Sequence, residues 1–180
     1  MSLQLCFYGD PVLRKRCSPV KEITPSIKNL VQEMIETMDA YKGIGLAASQ
    51  VGVLLQIFVV RKEKKMPDGS ISLGDAKVYI NPELFHPSKE MVTMAEGCLS
   101  LPGLTVDVAR PDSIYIRYQD LEGTVQEEKV SGFDARVLMH ENDHLHGRLT
   151  IDRTTVQEKE RTKPYLKDLK KKYQKVSKRS

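Results

Sequence analysis

Apolar residues recur at helical spacing through Ile27, Leu30, Val31, Met34, Ile35 and Met38, behind a Thr24-Pro25 start. A threonine cap, a proline in the first turn and apolar side chains three and four apart predict an amphipathic helix whose methionines pack in the core. Upstream, Asp10-Pro11 before VLRKRC predicts a short helix or turn ending near Cys17. Beyond the helix the pattern changes. Residues 56–61 (QIFVVR) and the runs 77–81, 90–95, 104–109, 113–119 and 124–130 are short and rich in Val, Ile and Tyr, with turn residues such as Asp120-Leu121-Glu122-Gly123 between them. They predict strands. Residues 62–76 (KEKKMPDGSISLGDA) are polar, carry Pro-Asp-Gly and predict a loop.

Gly43-Ile44-Gly45-Leu46-Ala47-Ala48-Ser49-Gln50 predicts a tight loop entering the 56–61 strand. Its glycines would admit a ligand or a strand close to the backbone, and it lacks the Lys-Ser/Thr pair of a phosphate loop. Gly132 and Phe133 lead into ARVLMHENDHLHG, where Val137, Leu138 and Leu145 predict a buried helix and Gly147 its C-terminal cap. A third helix is expected from Thr154 onward, over about 154–180, with an apolar stripe of Tyr165, Leu166, Leu169, Tyr173 and Val176 among lysines. Strands followed by a central helix indicate an α+β fold in one domain spanning residues 1–180.

Composition narrows the class. With 180 residues, 40% hydrophobic and 29% charged, the chain suits one soluble domain, and no apolar run approaches a membrane span. The start MSLQLCFYGD does not resemble a signal peptide, and three cysteines at 6, 17 and 98 suit reduced thiols in a cytoplasm. A net charge of +4 is mild and its basic residues crowd the C-terminal end. Such a face is ordinarily just solvated, with attachment to RNA or another polyanion as the sharper alternative. Nothing points to a membrane or to specific DNA.

The chemistry centres on His140-Glu141-Asn142-Asp143-His144. On a helix, positions i and i+4 share a face, so both imidazoles reach one point and form a metal half-site, with Glu141 beside it. A third ligand is required. One familiar extension would place a histidine at position 150, which is Thr150; His146 points to another side of the helix, and His86-Pro87 reads as a loop. Glu158 and Glu160 lie in or beside the basic tail. Cys98, in Glu96-Gly97-Cys98-Leu99-Ser100-Leu101-Pro102-Gly103, reads either as a thiolate ligand or as a buried inert thiol. Cys6 and Cys17 read as small core or surface residues.

GIGLAASQ at 43–50, EGCLS at 96–100 and HENDH at 140–144, together with the opening YGDPVLRKRCSPV, resemble the signature motifs of peptide deformylases, in that family's order and over most of residues 5–152. The resemblance implies antiparallel sheets around the HENDH helix. It also implies one divalent metal held by Cys98, His140 and His144: Fe2+ in the cell, with Zn2+, Ni2+ or Co2+ able to occupy the site. The implied reaction removes the formyl group from the formylmethionine of nascent peptides and releases formate, by a metal-bound water activated by Glu141. Gln50, read as a loop glutamine, and the backbone N–H of Leu99 would stabilise the formyl oxygen. Gly43, Ile44 and Gly45 would pair with the peptide as an added strand, and Ile44, Phe133, Val137 and His140 would form the methionine pocket. Glu96 is expected to orient a ligand histidine, with Arg110 pairing to Asp143 or Glu96. The basic C-terminal helix is a candidate ribosome contact. Ser49 and Asn142 depart from the commonest family pattern without supplying chemistry.

Two other classes compete with this reading. A different metal hydrolase on the same histidine pair is disfavoured by Thr150 and by Cys98 within EGCLS. A structural metal site in an RNA- or ribosome-binding module would normally need a fourth protein ligand.

Overall fold

The computed structural model describes residues 3–177, with side chains described as far as Tyr173. The helix expected from Ile27 to Met38 is α1, Pro25–Ala40, capped by Thr24, whose hydroxyl accepts from the Ile27 amide at 3.4 Å. The Asp10 segment forms a single 3-10 turn, Pro11–Arg14, with the Asp10 carboxylate accepting from the Val12 amide. Seven strands follow: β1 Gly45–Ala47, β2 Ile57–Lys65, β3 Ile71–Phe85, β4 Met91–Gly97, β5 Thr105–Pro111, β6 Ser113–Gln119 and β7 Val125–Ser131. Helix α2, Gly132–Leu145, carries HENDH, and α3 spans Val156–Ser177.

An antiparallel five-stranded sheet in the order β1-β2-β3-β6-β7 stands beside a two-stranded ribbon, β4-β5. Strand β2 explains the unbroken apolar run IFVV, because both faces of the sheet are covered. Phe58 and Val60 share a cluster with Tyr79, Ile114, Ile116 and the α2 residues Ala135, Val137 and Leu138. Ile57 and Val59 face the other way, into a cluster with Val31, Met34 and Met38 of α1. A third cluster lies under α3, where Leu166 and Leu169 meet Leu101, Leu104, Val106 and Val108. The fold is therefore α+β, with antiparallel sheets and α2 packed on the main one.

Three expectations need correction. Residues 62–76 are a two-stranded hairpin whose turn lies between Lys65 and Ile71, paired through Glu63↔Leu73 and Lys65↔Ile71. Ile71 and Leu73 are 66% and 46% exposed, so backbone pairing rather than burial holds this ribbon, and its polarity gives no strand pattern. The segment 43–50 is not a plain loop: Gly45–Ala47 pairs with Val60–Phe58, and Ala48–Val51 is a 3-10 turn. Gln50 accordingly sits in that turn, 1% exposed, rather than in a loose loop. The tail helix starts at Val156 instead of Thr154, and Val176's side chain and residues 178–180 lie outside the described residues.

Gly147 follows α2 with φ +68°, and a Cβ there would meet the Arg14 carbonyl oxygen at 2.4 Å, so glycine is required both by conformation and by the close passage of the N-terminal segment. No helix among the described residues is long and apolar enough to cross a membrane.

Candidate metal centre

Helical periodicity sets Arg136, His140 and His144 on one face of α2 at successive i, i+4 positions. The two imidazole rings lie 5.1 Å apart, edge to face. Cys98 leaves the end of β4 and brings its Sγ to 3.3 Å from His144 Nε2. The three donor atoms of Cys98, His140 and His144 all lie within 4.8 Å of one another. One sulfur and two nitrogens converging on one point, in a pocket of buried or half-buried residues, match the donor set of a tetrahedral site with one position left for water or substrate.

The two histidines sit in opposed electrostatic settings. Burial would lower the proton affinity of His140, but Cys98 and Glu96 outweigh it and raise its pKa well above the ordinary value. His144 is pushed well below, by burial first and then by the charge of His140. The Nδ1 of His144 and the Oε2 of Glu141 are buried with no hydrogen-bond partner among the described residues. Orphaned buried polar atoms beside a sulfur and two imidazoles fit the donor set of a metal site.

Around this triad the structure places the other predicted residues. Glu141 is 4% exposed, and burial raises its carboxyl pKa to about 7. The Gln50 side-chain oxygen accepts from the Ala47 amide at 2.8 Å, which turns Nε2 toward Ser100 Oγ at 3.2 Å and Cys98 Sγ at 3.6 Å. Ser49 donates to the His144 carbonyl at 3.3 Å, tying the 3-10 turn to α2. A cavity of about 380 Å³ opens beside the triad. Gly43, Ile44 and Gly45 line it from β1 and the residues before it, Leu99 from the Cys98 turn, and Phe133 and Val137 from α2.

Behind His140 lies a buried ionic network. Glu96 Oε2 is 3.1 Å from His140 Nδ1, an arrangement that leaves Nε2 of the ring for the metal. Arg110 bonds both Glu96 oxygens at 2.6 and 2.9 Å and reaches Asp143 at 2.9 Å, joining both of the partners considered for it. Burial would raise the Glu96 pKa, but His140 and Arg110 hold it down at about 2. Sequence reasoning missed three participants. Arg136 bonds Glu96 and the carbonyls of Val92 and Val108, Arg153 bonds both oxygens of Asp143, and Ser100 meets Gln50. Arg136 had a signal, since it stands one turn before His140 on the same face, and Ser100 had one as the last residue of EGCLS; Arg153 had none.

A family model described as polypeptide deformylase matches residues 2–160 of the chain. A peptide deformylase of Thermotoga neapolitana is 43% identical over 146 residues, covering 81% of this chain and 83% of that one. The chloroplastic peptide deformylase 1B of Oryza sativa subsp. japonica is 40% identical over 172 residues, covering 96% of this chain and 62% of the rice protein. Among solved structures, Arabidopsis thaliana peptide deformylase 1B in complex with an inhibitor superposes with a TM-score of 0.86 at 36% identity, over 97% of this chain and 93% of that one. The Plasmodium falciparum peptide deformylase gives 0.85 at 33% identity, over 95% and 97%.

Proposed function

Since the chain belongs to the polypeptide deformylase family, we propose that it removes the formyl group from the N-terminal formylmethionine of newly made polypeptides at a divalent metal held by Cys98, His140 and His144. The observation that carries this reading is the convergence of that sulfur and two imidazoles beside a buried, unpartnered Glu141 oxygen and an open cavity. Fe2+ is the proposed metal in the cell, with Zn2+, Ni2+ or Co2+ as alternatives, because a mixed thiolate–imidazole set suits all four. We extend the reading to residues 1–180 as one catalytic domain and to a cytoplasmic protein, in keeping with its free cysteines.

When bound, the metal supplies Lewis-acid polarisation of the formyl carbonyl and acidifies a water. Glu141 accepts the proton of that water. Its raised proton affinity, about 7, suits a group that must take a proton and give it up near neutrality. As the water oxygen bonds to the formyl carbon and the carbon–nitrogen bond breaks, the same carboxyl returns the proton to the departing amine, leaving formate and a free α-amino group. Charge developing on the formyl oxygen is met by Gln50 Nε2 and the Leu99 amide. The Ala47 bond to Gln50 Oε1 holds that donor in place. Gly43-Ile44-Gly45 offers backbone to the peptide in strand fashion, and Ile44, Phe133, Val137 and the face of His140 receive the methionine side chain.

The exposed lysines of α3, among them Lys163, Lys167 and Lys171, give the protein a basic face suited to the RNA of a ribosome, where its substrates emerge.

The test is formate release from formyl-Met-Ala-Ser by anaerobically purified protein, beside Glu141→Ala with equal metal content. Activity in the first and a loss of about 10²-fold or more in the second is expected for a general base. Bound metal in both with formate from neither would replace this reading by a structural metal site.

A further inference from the structure

The three metal-binding side chains come from two separately packed bodies. Cys98 hangs from the end of the β4-β5 ribbon, whereas both histidines stand on α2. The buried apolar residues of the ribbon and the turn before it, Leu104, Val106 and Val108, belong to the cluster under α3. Those of α2, including Val137 and Leu138, belong to the cluster on the main sheet. Strand β4 buries one residue, and it is Glu96. What spans the gap is polar, and much of it is Arg136.

The Arg136 guanidinium, 5% exposed, donates from Nη1 to Glu96 Oε1 at 2.6 Å and to the Val108 carbonyl at 2.9 Å, and from Nη2 to the Val92 carbonyl at 2.6 Å. It therefore grips both strands of the ribbon and the carboxylate that faces His140, from a position one helical turn before that histidine. Arg110 also bonds Glu96, but it rises from the ribbon itself and reaches α2 only through Asp143. Arg136 thus fixes β4 directly against the histidine-bearing face of α2, and does so beside the contact of His140 Nδ1 with Glu96 at 3.1 Å. A planar guanidinium suits this, since several donors leave in fixed directions where an ammonium cannot reproduce the fork.

We propose that Arg136 is a positioning residue for the metal centre, setting the separation between the Cys98 thiolate and the two imidazoles by clamping the β4-β5 ribbon to α2. The proposal rests on the reading that these three residues hold the metal. It implies that loss of Arg136 loosens the sulfur bond first, because Cys98 is the ligand on the other body.

Arg136→Met and Arg136→Lys, loaded with Co2+, test this. The thiolate-to-cobalt absorption band reads the Cys98 bond, transfer to a chelator reads metal retention, and formate release reads turnover. In Arg136→Met the band should weaken, metal should leave about tenfold faster or more, and kcat should fall while KM for a formylpeptide changes by less than about twofold. Arg136→Lys should recover part of each loss, and it carries the test if the Met variant does not fold. Leu138→Ala, a deletion on the same helix directed into the other cluster, is the control for general destabilisation. A wild-type band and wild-type metal release in both Arg136 variants would overturn the proposal. So would equally fast metal release from Leu138→Ala at matched thermal stability. Absence of formate from the wild type, with the band and release effects intact, would defeat the deformylase reading and leave Arg136 in its positioning role.

Discussion

A methyl group on Gly45 would lie 2.3 Å from Glu141 Oε1 and under 3 Å from two further atoms of that side chain. Strand β1 and helix α2 approach as they do because residue 45 has no side chain, and this brings the carboxylate to the cavity wall where a peptide backbone would lie. Gly45→Ala should therefore displace Glu141 while leaving Cys98, His140 and His144 in place. We expect formate release per bound metal to fall about 10²-fold, the scale of losing a general base, with metal content unchanged. Turnover equal to the wild type would show that Glu141 need not occupy its observed position.

Arg110 is 4% exposed and bonds two carboxylates, one facing His140 and one on the same helix as that histidine. Removing a buried partner strands charge in a region of low dielectric, a loss of about 3–5 kcal/mol. Arg110→Ala should lose stability on that scale in urea denaturation and should release metal faster. Arg136 and Arg153 still hold the two carboxylates, so the lower end of the range is expected. Unchanged unfolding and metal retention would mean that those two arginines carry the network alone.

Residues with local signals were legible in the sequence, and those whose reasons lie far along the chain were not. Helix α1 announces itself through Thr24, Pro25 and its apolar spacing, and β2 through an unbroken apolar run. The 62–76 hairpin is invisible because most of its side chains are polar or exposed, as Ile71 and Leu73 are, and its register is set by backbone pairing. His140 and His144 could be paired from helical geometry, whereas Cys98 came through the family resemblance of EGCLS; its thiol chemistry alone left an inert core cysteine equally open. Helical spacing put Arg136 on the face of His140, but its role was not legible, because its acceptors Glu96, Val92 and Val108 lie 40, 44 and 28 residues away.

Glu128 accepts from Lys62 at 2.9 Å and Lys77 at 2.8 Å across the main sheet. Burial alone would raise its pKa, but the two lysines outweigh that and hold it below the ordinary 4.5. A carboxylate with a depressed folded pKa stabilises the fold fully above its unfolded pKa and loses that contribution as pH falls through the folded value. Glu128→Gln should accordingly lower the melting temperature by about 2–4 °C at pH 7, the shift expected for ~1 kcal/mol in a chain of this size. The gap should narrow steadily below pH 4.5. A gap that stayed constant down to pH 3 in paired melting curves would rule out the ion pairs as its source.

Helix α3 has two distinct faces. Its inner face is core: Leu166 and Leu169 are 8% and 5% exposed beside Leu101 and Leu104, Tyr165 donates to the Pro102 carbonyl, and Tyr173 stacks on Phe7 at 3.9 Å. Its outer face carries exposed lysines, Lys163, Lys167 and Lys171 among them, interspersed with Glu160 and Asp168. Deleting residues 160–180 would thus remove two buried leucines at ~1.5–3 kcal/mol each, together with the support behind the turn that follows Cys98. That variant should lose at least ~3 kcal/mol of stability, and any loss of ribosome association could not be credited to charge. Lys167→Glu with Lys171→Glu reverses two exposed charges and leaves the buried face intact. It should keep the wild-type melting temperature within about 2 °C, since surface substitutions rarely cost more than ~0.5 kcal/mol. It should also sediment less with ribosomes, with the difference growing at low salt, where phosphate contacts dominate. Equal sedimentation of the double variant and the wild type at low salt would remove the basic face from ribosome recognition and leave α3 as a structural brace for the Cys98 turn.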